Sequence, residues 1–229
     1  MARSVPPGRL RDVGRAATRV FIAKGYRRAL MTDVAQGLKL SSGSLYNYVE
    51  SKEALFYVAL LSAMSPAALD DLTMPVRTPP SGEIMALVDK WLTEKAAFPV
   101  LAAALDRRRP KDIRAELEAV INERYTFVED SRRLLALVEQ SAFDLPELAD
   151  LYYRESRRAS ISTLAEYLER RGKQGHLRRV PDAPTAARFV IESVAWFAWH
   201  RKGDPDSAMI DDGEARNTVR HMLTSALLP

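Results

Sequence analysis

The apolar pattern Met31, Val34, Ala35, Leu38 runs for two helical turns, and only Lys39 and Leu40 separate it from Ser41, which can cap a further helix. Two short helices joined by about three residues leave few arrangements open, and the compact one is the helix-turn-helix unit. The flanking sequence supplies a small core for it. Val13, Ala16, Ala17, Val20 and Phe21 recur at the spacing of one helical face, while Arg11, Asp12, Arg15 and Arg19 fall elsewhere on the turn, so a half-buried helix precedes the unit. Gly25 follows the last periodic residues and can take the left-handed conformation that closes this helix near Lys24. Thr32 and Asp33 stand near the start of the second helix, where a hydroxyl or carboxylate can meet unpaired amides. The third helix carries Leu45 and Val49 inward at i, i+4 spacing, and Ser51 caps a fourth, placing Lys52 in its first turn.

In a helix-turn-helix the second helix enters the major groove of double-stranded DNA and its N-terminal residues face the base edges. Because Leu45 and Val49 belong to the core, Ser42, Gly43, Ser44, Tyr46 and Asn47 are the exposed candidates. Asn47 can bridge an adenine edge, the hydroxyls can meet bases or phosphates, and Gly43 lets the backbone approach closely. The helix dipole gives a cation at Lys52 no reason to be there, whereas a phosphate does. Singly, Tyr46 and Tyr48 read as core or rim aromatics and Lys52 as a solvated lysine; their joint spacing favours DNA.

The segment from Gly14 to Phe56, with Val20-Phe21-Ile22-Ala23-Lys24-Gly25-Tyr26, Val34-Ala35 and Leu45-Tyr46-Asn47-Tyr48-Val49-Glu50-Ser51-Lys52-Glu53-Ala54-Leu55, resembles the DNA-binding end of TetR-family transcriptional regulators. The resemblance implies that positions matching Tyr46, Tyr48 and Lys52 contact the DNA backbone and that those matching Ser42, Gly43 and Asn47 contact bases; Ser44 and Thr32 complete the DNA-binding set. Three positions depart from the family pattern. Leu30 stands where a capping Thr is usual, Lys39 where the turn often has Gly, and Val49 where Phe is commoner. The first weakens the start of the second helix, the second asks a non-glycine residue to tolerate a tight turn, and the third is a conservative core exchange.

Charge is distributed to match. Residues 1 to 55 hold ten Lys or Arg against four Asp or Glu, a net of +6, and since the whole chain sums to +4 the remainder carries −2. The basic end is the helix-turn-helix end, which points to a polyanion partner. At 229 residues and 47% hydrophobic content the chain can bury roughly 70% of its unfolded surface. Cysteine is absent, which removes disulfide frameworks, thiol nucleophiles and cysteine-ligated zinc and fits a reducing cytoplasm. No apolar run approaches the ~18 residues of a membrane span. Met1 to Pro7 lacks the apolar core of a signal peptide and reads as a flexible arm.

Beyond residue 56 the pattern is helical throughout, so the fold is all-α: an N-terminal three-helix helix-turn-helix domain over 1–56, and a C-terminal helical ligand-binding and dimerisation domain over 57–229. Residues 65–82, rich in proline, read as a loop after the fourth helix. Helical patterns follow over 83–97, 101–108, 111–140, 147–171, 184–201 and 212–227, divided by Pro and Gly. Val190, Val194 and Phe197 on the penultimate helix, and Val219, Met222 and Leu223 on the last, form two apolar stripes. They fit either a core hairpin or a homodimer face; TetR-like proteins usually dimerise through such a pair, which presents two recognition helices to a symmetric site.

A ligand chamber for a small-molecule effector is allowed rather than described. Tyr125, Phe143, Tyr152 and Trp196 are candidate lining aromatics, and Gln140 to Leu148 looks like the corner that often borders the TetR-family pocket. Glu155 falls in register with Leu148, Leu151, Tyr152 and Ala159, so its carboxylate either faces the interior or sits at a solvated edge. His176, His200 and His221 share no metal-ligand spacing, and no phosphate loop or nucleophile elbow is present, so no catalytic, metal or cofactor site is expected. A helical adaptor without sequence-specific DNA binding is the alternative to a repressor responding to an effector.

Overall fold

The computed structural model describes residues 8–229, and the N-terminal arm expected from the sequence lies outside the described residues. The α-helices in chain order are α1 (Arg9–Arg28), α2 (Met31–Gly37), α3 (Ser42–Leu45), α4 (Lys52–Met64), α5 (Glu83–Lys95), α6 (Pro99–Asp106), α7 (Ile113–Ala142), α8 (Pro146–Ala149), α9 (Arg158–Lys173), α10 (Ala183–Ala198) and α11 (Asp212–Leu227). Short 3-10 turns cover Pro66–Leu69 and His200–Gly203, and a π-helical segment covers Asp150–Arg157. The all-α expectation holds; one isolated parallel bridge, Val49 to Val76, is the extended pairing among the described residues.

The chain forms two compact units. The first takes residues up to Trp91 together with Arg133–Tyr152, and the second takes Leu92–Arg132 together with Tyr153–Pro229. In the first, α1 packs along α4 by turning Val13, Ala17 and Phe21 inward against a helix whose Leu55, Phe56 and Ala59 are buried. The helices approach closely at Gly14: a Cβ there would lie 2.7 Å from Ser62 Cβ and 3.1 Å from Leu69 Cδ1. One turn on, the Thr18 hydroxyl lies 2.8 Å from Gly14 O and 3.1 Å from Ala59 O, so a buried polar group finds acceptors on both helices. Gly25 has φ 77 and breaks α1 where the sequence places its end, but a further turn follows to Arg28. A side chain at Gly25 would come 2.8 Å from Asp144 Oδ2, the same oxygen that accepts from the Arg27 amide at 2.7 Å. The corner after α7 is thereby tied to the end of α1.

In the second unit, the N-terminal part of α7 is surrounded by α6, α9, α10 and α11 around Leu117, Ile121, Tyr125, Leu168, Val194 and Leu223. Three arginines, Arg124, Arg171 and Arg201, are buried in it. Arg171 reaches Glu116 in a forked pair, Nε to Oε1 at 2.8 Å and Nη2 to Oε2 at 3.2 Å, and donates further to Ala104 O at 2.6 Å and Gln174 Oε1 at 2.9 Å. Arg201 donates to Phe197 O at 2.6 Å and Ile210 O at 2.7 Å and pairs with Asp212. Burying Arg201 draws the chain into a 3-10 turn, which is why α10 ends at Ala198 and not at residue 201.

Candidate nucleic-acid interface

Every cap in the helix-turn-helix is made by a short polar side chain read in the sequence, with one exception. Ser41 Oγ accepts from the Ser44 amide at 3.2 Å, and Ser51 Oγ from the Ala54 amide at 3.1 Å. Leu30 offers no cap to α2. Asp33 compensates from inside the first turn, accepting from the Leu30 amide at 3.0 Å while the Lys24 ammonium lies 2.7 Å from its other oxygen. These partners, Lys24 first, hold the Asp33 carboxyl below the usual carboxylate range. Lys39 takes φ 56, the left-handed geometry that the turn demands and that glycine adopts without strain.

The third helix is shorter than the sequence predicts. Regular α geometry ends at Leu45, and the chain reaches Val49 through turn bonds from the Asn47 amide to Ser44 O, 3.3 Å, and the Tyr48 amide to Leu45 O, 2.9 Å. Leu45 and Val49 are nevertheless both buried, because the turn preserves the direction that an i, i+4 pair requires. What stops the helix is a backbone partner that the proline-rich stretch supplies: the Val76 amide donates to Tyr48 O at 2.8 Å, the Glu50 amide to Val76 O at 3.0 Å, and Thr78 reaches Glu50 Oε2 and Ser51 Oγ at 3.1 and 2.8 Å. This strap braces the joint between α3 and α4. Its sequence signal is the β-branched pair Val76 and Thr78 between Pro75 and Pro79.

Ser42, Gly43, Tyr46 and Asn47 are exposed on and just after α3, Ser44 is half-buried, and Thr32 is exposed at the start of α2. Tyr46 keeps 51% of its surface in solvent, whereas Tyr48 keeps only 8%. The sequence pairs the two tyrosines as DNA contacts; the structure turns Tyr48 inward, its backbone carbonyl fixed by the strap. Lys52 is half-buried, with Nζ donating to Arg27 O at 2.9 Å and lying 4.9 Å from the centre of the Tyr26 ring. The ammonium thus closes the end of α1, a use the sequence does not reveal. Tyr26 stacks with Phe21 and meets Phe56 edge to face, and donates to Glu53 Oε1 at 3.2 Å. Burial, with Glu53 adding to it, pushes the Tyr26 phenol up to about 12.

The residues assigned to ligand and assembly scatter. Tyr125 is in the core of the second unit, donating to Phe197 O at 3.3 Å under the Arg216 guanidinium. Trp196 is exposed on α10 and meets Phe197 edge to face. Tyr152 is buried in the first unit and Phe143 is 76% exposed there. Glu155 is exposed. It lies within the π-helical segment, whose wider turns rotate side chains off the 3.6-residue register on which an inward carboxylate depends. Val190, Val194, Val219 and Leu223 are buried, so these stripe residues belong to the core of the second unit; the large apolar side chains exposed on α10 and α11 are Phe189, Trp196 and Met222, with Phe197 half-buried.

A braced helix-turn-helix with a short exposed recognition element, followed by a larger all-helical portion, defines a DNA-binding regulator of bacterial type. A model described as bacterial regulatory proteins, TetR family, matches residues 15–58, and one described as the AefR-like transcriptional repressor C-terminal domain matches residues 123–224. The chain belongs to the TetR family of transcriptional regulators. It is 25% identical over 199 residues to the HTH-type transcriptional repressor KstR2 of Rhodococcus jostii (strain RHA1), covering 86% of this chain and 81% of that one. The fold matches ketosteroid transcriptional regulator KstR2 of Mycobacterium tuberculosis with a TM-score of 0.57 at 14% identity, covering 96% of this chain and 95% of that one. It also matches AibR in complex with isovaleryl coenzyme A and operator DNA, with a TM-score of 0.53 at 17% identity, covering 94% and 98%.

Proposed function

We propose that this regulator is a repressor that binds a palindromic operator as a homodimer and is released by a small, mostly apolar effector. The observation that carries the DNA part is the exposed set Ser42, Gly43, Tyr46 and Asn47 on a recognition element whose inward residues and caps are all satisfied. In this reading Asn47, Ser42, Ser44 and the Gly43 backbone meet base edges, while Thr32, Tyr46 and Lys52 meet phosphates. Residues 1–56 form the functional DNA-binding part and residues 57–229 the effector-binding and dimerising part. Phe189 and Trp196, seven residues apart and so on one face of α10, join Met222 as the contact between copies. Support for an effector comes from AibR, a protein of this fold whose structure contains both an acyl coenzyme A and operator DNA. Gel-shift with the DNA upstream of its own gene tests the reading: a discrete complex that a scrambled competitor fails to displace is expected, and equal competition by scrambled DNA would refute it.

A further inference from the structure

Arg124, on α7, is 5% exposed and has no carboxylate within ion-pair distance among the described residues. Its Nη1 donates to Ser160 Oγ at 2.6 Å and its Nη2 to Ser160 O at 3.1 Å, both neutral acceptors, and its buried Nε has no partner. The neighbouring carboxylate, Glu123, is committed elsewhere: its two oxygens accept from the Val100 and Leu101 amides at the start of α6, at 2.7 and 3.1 Å. The contrast with Arg171 is direct, since that equally buried guanidinium has Glu116 in a fork. Burial lowers Arg124 to about 10, which still leaves it charged at neutral pH. The second unit therefore holds a desolvated positive charge that makes no ion pair, its neighbouring carboxylate Glu123 being bonded to backbone amides, an arrangement that proteins rarely keep without a partner.

What covers the guanidinium is itself strained. The Phe98 ring lies over it, 4.1 Å from Cζ to the ring centre, and Phe98 adopts φ 45, ψ 64, a left-handed conformation uncommon for an aromatic residue. The next residues, Pro99 and Val100, line an open pocket of about 450 Å³ whose wall combines Ala103, Ala115 and Ala119 with two bases, Arg107 and Lys111, and two acids, Asp112 and Glu116. Relaxation of Phe98 out of its left-handed geometry would uncover the guanidinium beside the start of α6, whose Pro99 and Val100 line that pocket.

We propose that Arg124 is the anchor for a carboxylate on the effector, so that the molecule is an acidic amphiphile with its apolar body in the recess of Pro99, Val100 and Ala103. This rests on the effector reading above and narrows it. A carboxylate suits the site because Nε and Nη2 form a fork that donates to two parallel oxygens, and a neutral hydroxyl or amide would leave the charge uncompensated.

The test compares carboxylic acids of linear, branched, aromatic and polycyclic skeleton with their matched primary amides, by thermal shift and by release of labelled operator from the wild-type protein. At least one acid is expected to bind about tenfold to a hundredfold more tightly than its amide, the effect of a charge-assisted bond in a dry site. In Arg124→Gln, checked for folding by circular dichroism, the acid and amide should become equal, and Arg124→Lys should keep part of the preference. Amides that bind and release DNA as well as acids would overturn the anchor and leave the effector reading standing. Binding by neither series would count against both. An acid preference that persists in a folded Arg124→Gln would place the anchor elsewhere.

Discussion

Lys52 shows how one side chain can be both legible and misleading. Its place in the first turn of α4 was readable as unusual for a cation, and the structure supplies a local reason, the Arg27 carbonyl at 2.9 Å and the Tyr26 ring below it. A lysine has three donors, so one bond to Arg27 leaves capacity for a phosphate. Lys52→Ala should then lower two quantities together: affinity for all DNA, and stability by about 0.5–1.5 kcal/mol for the lost hydrogen bond, read in DNA titrations and in denaturant midpoints. Asn47→Ala, exposed and unburdened by packing, should leave stability alone and cost about 1–3 kcal/mol chiefly on the specific site. Tyr26 gives a pH dependence. Its phenol is raised to about 12 by burial and Glu53, so the folded state keeps its proton where the unfolded chain loses it. The contribution is complete below about 10 and is lost as pH rises from there toward about 12. Comparing denaturant midpoints of wild type and Tyr26→Phe across that window should show a steeper decline in the wild type, with Tyr57, Tyr125 and Tyr167 giving the part common to both; parallel curves would remove Tyr26 from the explanation. Tyr48 could not be resolved from Tyr46 in the sequence because both precede the same cap, and only the strap at Val76 distinguishes their directions.

At the scale of elements, helices with clean apolar periods were readable and interruptions set by tertiary contacts were not. The range 212–227 for α11 coincides with the structure because its apolar period is clean and Asp211 caps it, accepting from Gly213 and Glu214. The end of α10 is not legible because it depends on burying Arg201, and the sequence leaves Glu155 open between interior and solvated edge because nothing local announces the π-helical segment in which it is exposed. Nothing local to Gly14 signals the demand that packing places on it. Gly14→Ala would force its Cβ to 2.7 Å from Ser62 Cβ, so α1 and α4 must shift, at a cost of about 1–3 kcal/mol. Pairing it with Ser62→Gly should recover part of the loss, since the two positions share one gap. In the second unit, Glu116→Ala strands the Arg171 guanidinium, and about 3–5 kcal/mol should disappear from the unfolding free energy. A loss below about 1 kcal/mol would show that water or Gln174 can take the place of the carboxylate.

For the whole molecule, the basic N-terminal segment and the apolar surface of α10 and α11 belong to one functional requirement. A recognition element as short as Ser42–Leu45 makes too few contacts alone, and two copies on a palindrome double them. Phe189→Glu with Trp196→Glu should therefore convert the dimer to monomer in light scattering and weaken operator binding without unfolding the protomer, because both side chains are exposed. In the proposed mechanism the effector discriminates between two conformations of the dimer, and linkage then requires saturating operator to weaken effector binding by the factor, commonly about 5-fold to 150-fold, by which saturating effector weakens operator binding. The claim on which all of this depends is sequence-specific, electrostatically driven DNA binding. It is tested most directly by fluorescence anisotropy of the upstream DNA of its own gene and of a scrambled duplex, titrated over a salt series. For a dimer with roughly 6 to 10 phosphate contacts, affinity for the upstream DNA should fall by about 10³ to 10⁵ between about 50 and 200 mM salt, and at each salt it should exceed that for the scrambled duplex by about 10³ or more. Equal affinity for the two duplexes, or binding indifferent to salt, would contradict the account.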